Sequence, residues 1–350
     1  MIKYIGSKRV LIPAILEAVA SLPEVRSAID LFSGTSRVGS ALKGAGIRVI
    51  ANDHNTYAAT LARCYVAADA EDLRSEAERL IRELNALPGT PGYFTETFCL
   101  RSRFFQPHNG ERIDAIRAAI TRLSPPPELE SVLLVSLMEA ADRVDSTTGL
   151  QMAYLKTWAK RSYNALELRV PALLPRARHG KGEAHQADAV QIVSQLEADL
   201  LYLDPPYNQH RYLGNYHIWE TLVRGDQPEV YGVACKRLDC RTRESAFNSR
   251  TKILDAMRAV VRSARARNLL VSFSNEGFID RPTMEALLGE RGHVRVIEHD
   301  FKRYVGAQIG IYNPSGDKVG QVSHLRNKEY LYLVTPEPLR ARGPRQATLF

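Results

Sequence analysis

The chain has 350 residues, 45% of them apolar and 25% charged, with a formal net charge of +8 and a pI of about 9.3, proportions that suit a soluble globular protein of one large or two ordinary domains and a polyanionic partner. The longest apolar stretch, Val132 to Leu137, is too short to span a bilayer, and no apolar signal core follows the three basic residues of Met1 to Val10. Cys64, Cys99, Cys235 and Cys240 form no C-x-x-C pair, so free thiols in a reducing cytoplasm are expected and a metal site is not.

Ile2-Lys3-Tyr4-Ile5-Gly6-Ser7-Lys8-Arg9 leads into an apolar pattern of helical spacing, Val10, Leu11, Ile15, Leu16 and Val19. Ser7 is a candidate N-cap, with Pro13 allowing a later start, so Tyr4 and Lys8 fall on a loop at a helix entrance. Unpaired amides there favour anions. Ala28 to Phe32 is a short strand that Ser33-Gly34-Thr35-Ser36-Arg37-Val38-Gly39 turns into a helix. Glycine at 34 lets the backbone approach a ligand with no Cβ in the way. Ile47 to Ala51 is the second strand, ending in Asn52-Asp53, and an acid at that end can accept two hydrogen bonds from ribose hydroxyls.

Residues 55–86 read as helices, with a solvated amphipathic face over Glu71 to Leu84, and Leu87-Pro88-Gly89-Thr90-Pro91-Gly92 breaks the pattern. From Tyr93 to about His179 no α/β alternation is visible. Asn109 to Leu123 and Glu128 to Val144 are expected helices, the second one buried because Val132, Leu133, Val135 and Leu137 are too apolar for a surface stripe. Between Lys156 and Lys181 seven basic residues, among them Lys156, Lys160 and Arg161, stand against the single acid Glu167, with Trp158 and Tyr163 interleaved. That mixture suits contact with nucleic-acid phosphates. The α/β pattern resumes at His185-Gln186-Ala187-Asp188, before a helix from Ala189 to Leu196 that Asp188 can cap.

Leu200-Leu201-Tyr202-Leu203 reads as a strand buried on both faces, and Asp204-Pro205-Pro206-Tyr207-Asn208 ends it abruptly. The acid therefore sits at a strand's carboxyl end, where open α/β sheets bind ligands. Two prolines stiffen the corner, so that Asp204, the Pro205 carbonyl and the Tyr207 ring form one fixed set. An anionic acceptor, a backbone acceptor and a stacking face are what chemistry on a flat amino-bearing heterocycle needs. A short helix is expected over Tyr212 to Leu222. Lys236 to Arg267 holds ten Lys and Arg, including Arg241 and Arg243, against Asp239, Glu244 and Asp255. Its Cys240 to Ser249 part reads as a mobile loop beside the site, able to grip a nucleic-acid backbone. Leu269 to Gly277 is another buried strand ending in a polar turn, and Val294 to Tyr304 and Tyr330 to Val334 are closing strands. The tail from Pro336 is Pro- and Arg-rich and expected to be disordered.

The Asp204-Pro205-Pro206-Tyr207 motif and the glycine turn after Asp30-Leu31-Phe32 together resemble the signatures of S-adenosylmethionine-dependent DNA adenine-N6 methyltransferases of the D12 class, the Dam-like alpha group. Tyr4 to Lys8 resembles the family's cofactor-contacting segment, and the likeness extends over most of the chain. The family often has glycine where Ser36 stands. The resemblance implies a Rossmann-like class I methyltransferase α/β sheet, formed by residues 1–55 and 180–335, with an inserted, mainly helical target-recognition region over 56–179. It implies S-adenosyl-L-methionine held by Tyr4, Lys8, Asp30, Phe32, Gly34, Asp53, Asp188 and Asp204, with Tyr4 lining the pocket, Lys8 on the methionine carboxylate and Asp188 on the adenine amino group. Asp204, Pro205 and Tyr207 would carry the chemistry on an adenine flipped out of double-stranded DNA, with no metal. Lys156, Lys160, Arg161, Arg241 and Arg243 are the candidate DNA contacts. A cognate restriction endonuclease is a possible partner, and the nucleoid the expected location. The last five residues resemble a sliding-clamp-binding peptide, through Gln346, Leu349 and Phe350. An RNA adenine-N6 methyltransferase would share the site, whereas a non-catalytic DNA-binding module would not need it. Asparagine in place of Asp204 would point to protein glutamine, and serine to cytosine N4.

Overall fold

The computed structural model describes residues 1–302, 311–312, 318–320 and 326–339. Gln346, Leu349 and Phe350, and with them the clamp-like peptide, lie outside the described residues.

Apolar residues at alternate positions build the strands. In β1 (Ser27–Asp30) and β4 (Glu197–Leu203), Ala28, Leu200 and Tyr202 face one side, and Ile29, Leu201 and Leu203 the other. With β2 (Arg48–Asp53), β3 (Glu183–Gln186), β5 (Arg265–Ser274), β6 (His293–Lys302) and β7 (Arg326–Thr335) they form one sheet of order β3-β2-β1-β4-β5-β7-β6. The first five strands in that order are parallel, and β7 runs antiparallel to both β5 and β6. The order of the chain reverses between β1 and β4, which makes their carboxyl ends the place for a ligand. The expected α/β methyltransferase sheet is present. Its first strand stops at Asp30, two residues earlier than the pattern suggested, because Leu31 and Phe32 already belong to the turn.

Helices α1 (Ile12–Ala20) and α2 (Arg37–Gly44) cover one face, where Leu11, Ile15, Val38 and Leu42 pack on Val49, Leu200, Leu270 and Leu331. Two later helices, Ile253–Ser263 and Arg281–Gly289, cover the other, with Met257, Val260 and Leu288 against Leu201 and Val271. Pro13 stands in the first turn of α1, and the chain from Lys8 to Val10 is a separate 3-10 turn, so Ser7 is no α-helix cap.

A third core lies beside the sheet. Helices α3 (Thr56–Ala62), α4 (Ala70–Asn85), α5 (Pro107–Leu123) and α6 (Pro127–Val144) build it. Almost the whole length of α6 is buried, Val132, Leu133, Val135 and Leu137 included, as expected of a helix that is apolar all round. This layer draws on more of the chain than residues 56–179. Its core also takes in Ile2, Tyr216, Ile218, Trp219, Leu222 and Val223, the last five from the chain just after Asp204. Those residues form α7 (His217–Arg224) and its entry. The expected helix over Tyr212 to Leu222 is in fact two, Tyr212–Asn215 and α7, with Tyr216 leaving the helical backbone between them. Among the described residues no helix is long and apolar enough to cross a membrane.

Candidate active site

One cleft opens at the carboxyl ends of β1, β2 and β4, with an empty volume of about 1130 Å³ including its mouth. Asp30 ends β1, Asp53 ends β2, and Asp204 follows β4 directly; all three line it, as do Tyr4, Lys8, Phe32, Gly34 and Asp188. Every residue assigned to the cofactor from the sequence thus comes to a single cavity.

The turn after β1 is shaped by backbone that side chains dislike. Gly34 has φ +50°, and a Cβ there would lie 3.6 Å from the Tyr4 ring. Ser36 has φ +58° and ψ 23° and is buried, a left-handed conformation that glycine adopts more readily than serine. Gly39 approaches closely enough for its amide to donate to Asp30 Oδ2 at 3.0 Å. The other oxygen, Asp30 Oδ1, is buried without a partner, as are Ser7 Oγ and Ser33 Oγ in the same cleft. Burial, and then the Asp204 charge, push the Asp30 carboxyl up to about 7.

Asp53 accepts from the backbone amides of Gly34 and Asn55, each at 2.9 Å, and burial raises its carboxyl above the ordinary range. A carboxylate offers about four lone-pair positions, so acceptor capacity toward a ribose remains. Asp188 caps the turn Ala189–Ile192, accepting from the Val190 and Gln191 amides, while still lining the cleft. Buried Asn52 was not singled out in the sequence. Its amide donates to the Leu31 and Ala187 carbonyls and accepts from the Ala187 amide, clipping the ends of β1, β2 and β3 together. A polar residue one place before the strand-end acid was its only signal.

The N-terminal segment closes the cleft. Tyr4 stacks on Tyr216 (4.4 Å, 13°) and on Tyr212 (5.3 Å, 7°), and its hydroxyl lies 3.1 Å from that of Tyr57. The Ile5 amide donates to the Tyr216 hydroxyl at 2.6 Å. Lys8 is buried, and its ammonium contacts Asp204 Oδ1 at 3.0 Å and Glu329 Oε1 at 2.7 Å. Burial alone would lower Lys8, yet the two carboxylates hold it well above the usual lysine range. Its charge is therefore engaged by acids of the protein itself. Glu329 also was not assigned a role from the sequence, because one acid in the closing strand reads as a solvated charge.

Burial pushes the Asp204 carboxyl up to about 6; Lys8 pulls it down and Glu329 pushes it up. Pro205 is buried and Pro206 lines the cleft. The half-buried Tyr207 ring sits edge-on to Phe273 at 5.6 Å, with the Lys8 ammonium 5.9 Å from its centroid. Asn248 braces the loop beyond by donating to the Asn208 and His210 carbonyls, and the Phe278 amide donates to the Tyr207 carbonyl at 2.9 Å. The segment Cys240 to Ser249, read from the sequence as a mobile loop, is instead packed: Cys240 and Phe247 are buried, and Phe247 meets Phe32 edge-on at 4.8 Å.

The five cations assigned to DNA differ in setting. Lys156, Lys160 and Arg241 are exposed, Arg241 lying 3.9 Å over the Tyr231 ring. Arg161 is tied to Asp145 and to the Thr147 carbonyl. Arg243 turns into the cleft, held by fully buried Glu220 at 3.0 Å and by His54. The guanidinium groups of Arg161 and Arg243 thus both already have partners within the protein. Among the described residues no group of three or more His, Cys, Asp or Glu side chains stands together to hold a metal.

The family described as D12 class N6 adenine-specific DNA methyltransferase matches residues 4–284. The Type II methyltransferase M.NlaIII of Neisseria lactamica is 30% identical over 312 residues, covering 87% of this chain and 88% of that protein. The modification methylase StsI of Streptococcus sanguinis is 28% identical, and the Type II methyltransferase M.FokI of Planomicrobium okeanokoites 30%. The chain spans 49% of the length of each of these two.

Proposed function

The chain belongs to the D12 class of N6 adenine-specific DNA methyltransferases, and on that premise we propose that it is a site-specific enzyme using S-adenosyl-L-methionine to methylate N6 of an adenine flipped out of double-stranded DNA, as part of a restriction–modification pair or alone. The observation that carries the reading is one cleft holding Asp30, Asp53 and Asp204 at three neighbouring strand ends.

The cleft fits the cofactor's chemistry. Three polar atoms, Asp30 Oδ1, Ser7 Oγ and Ser33 Oγ, are buried there without partners, a costly state that a polar ligand relieves. Asp53 and Asp188 suit ribose and adenine donors, Tyr4 and Phe32 offer aromatic walls, and Gly34 leaves the turn free of a side chain. When bound, S-adenosyl-L-methionine supplies a methyl group on an electron-poor sulfonium.

Adenine N6 is a poor nucleophile because its lone pair is delocalised into the ring. Asp204 and the Pro205 carbonyl accept its two N–H groups, which favours a pyramidal nitrogen and frees the lone pair. The Asp204 charge then stabilises the positive charge developing on nitrogen. Tyr207 stacks on the base, and the proline-stiffened corner holds all three groups in alignment. Unstacking the target costs a few kcal/mol, offset by cations such as Lys156, Lys160 and Arg241 on the DNA backbone. Asp204→Ala is expected to abolish N6-methyladenine formation, read by mass spectrometry of digested DNA, while calorimetry shows cofactor binding retained. Near-normal methylation by that variant would refute the assignment.

A further inference from the structure

We propose that Glu329 is a positioning residue of the methylation site, drawing the Lys8 ammonium toward itself so that Asp204 keeps an uncompensated negative charge for the target amine. The inference rests on the function proposed above and adds a residue to it.

The geometry is a three-strand arrangement. Asp204 follows β4, Ser272 lies in β5 and Glu329 in β7, and the sheet order places these strands side by side. Lys8 reaches across from the N-terminal segment, nearer to Glu329 Oε1 (2.7 Å) than to Asp204 Oδ1 (3.0 Å). The Ser272 hydroxyl, itself buried, donates to the same Glu329 oxygen at 2.8 Å and holds it in place. Lys8 and Glu329 are both buried.

A buried lysine paired with Asp204 alone would form a neutral couple, and the acid would meet the amine with its charge already cancelled. A second carboxylate leaves the triad at a net charge of −1, the sign wanted where positive charge develops. Of the other ionisable groups near the triad, Tyr202, Tyr207 and Tyr212 are neutral phenols near neutral pH, and Asp30, pushed up to about 7, adds negative charge only as the pH rises through that value. A like charge disfavours ionisation of a neighbour, so Glu329 raises Asp204 and its removal lowers it.

Glu329→Gln tests this by two readouts. In ligand-free protein carrying ¹³Cγ-aspartate, with Asp204→Asn assigning the signal, Asp204 is expected to titrate lower than in wild type by roughly half a pH unit or more. In the methylation assay the acidic limb of kcat/KM moves the same way, while kcat on the plateau falls about tenfold or more. Glu329→Asp, which keeps the charge, restores most of kcat and returns the titration toward wild type. An unmoved Asp204 titration, or a loss of kcat with an unmoved acidic limb, would make Glu329 merely structural. Should Glu329→Gln not fold, Glu329→Ala takes its place in both readouts: a lowered Asp204 titration with a lowered kcat supports the role, and an unmoved titration overturns it. Wild-type protein that fails to methylate adenine refutes the proposed function; a wild type that methylates beside an indifferent Glu329→Gln refutes only this inference.

Discussion

Two carboxylates of the cleft are held away from their ordinary ionisation, with opposite consequences for rate and stability. Asp204, pushed up to about 6 by burial, must be ionised to accept the amine's protons, so methylation is expected to decline as pH falls through about 6. A steady-state pH profile checks this. Asp30, pushed up to about 7, binds more protons folded than unfolded, where its value is about 3.9. Its contribution to stability is therefore present below about pH 4 and is lost as pH rises through 7. Asp30→Asn keeps an acceptor for the Gly39 amide and removes the buried charge. Denaturant unfolding of ligand-free protein is expected to show the variant more stable than wild type at pH 8, by on the order of 1–3 kcal/mol, with the difference vanishing near pH 4. The site thus holds a group poorly suited to the folded state, as functional positions commonly do.

Among the elements, the turn between β1 and α2 carries the most backbone constraint. Ser36 adopts φ +58° with its hydroxyl buried and unpartnered, two unfavourable features that glycine lacks. Ser36→Gly should raise stability by about 1 kcal/mol. A Cβ on Gly39, by contrast, would lie 2.9 Å from Val66 Cγ2 and 3.1 Å from Asp30 Oδ2, so Gly39→Ala should cost about 1–3 kcal/mol and weaken cofactor binding. Thermal melts with and without cofactor separate the two effects. This turn and the proline corner were legible in the sequence because local chemistry dictates them: glycine permits the backbone, and proline ends the strand. The buried α6 was legible from its apolar run. What could not be read depends on partners far along the chain. Glu329 and Glu220 look like solvated charges until Lys8 and Arg243 are seen against them, and Phe247 lay in a polar stretch that seemed free to move until Phe32 appeared opposite.

On the scale of the whole molecule, the formal charge of +8 acts through the cations that remain exposed. Lys156 and Lys160 are exposed on the stretch after α6, Lys160 at the start of a 3-10 turn, Lys160–Tyr163. If both contact phosphates, the double variant Lys156→Glu, Lys160→Glu should weaken DNA binding at every sequence alike. The slope of log K against log salt would drop by about 2 in a fluorescence titration. Unchanged binding and slope would place the DNA elsewhere.

The fully buried Glu220 takes hydrogen bonds from Thr56 and Tyr57 on one side of the sequence and from Arg243 on the other, and its helix shares a core with residues from Ile2 to Val144. Heredity meets a constraint in that stitching. A gene shuffled between two such enzymes at positions 56 and 179 would import one half of a jigsaw and leave the strip from Tyr216 to Cys235 behind, mismatched to its new neighbours. Exchange of that segment alone is therefore expected to cost stability unless the strip from Tyr216 to Cys235 travels with it.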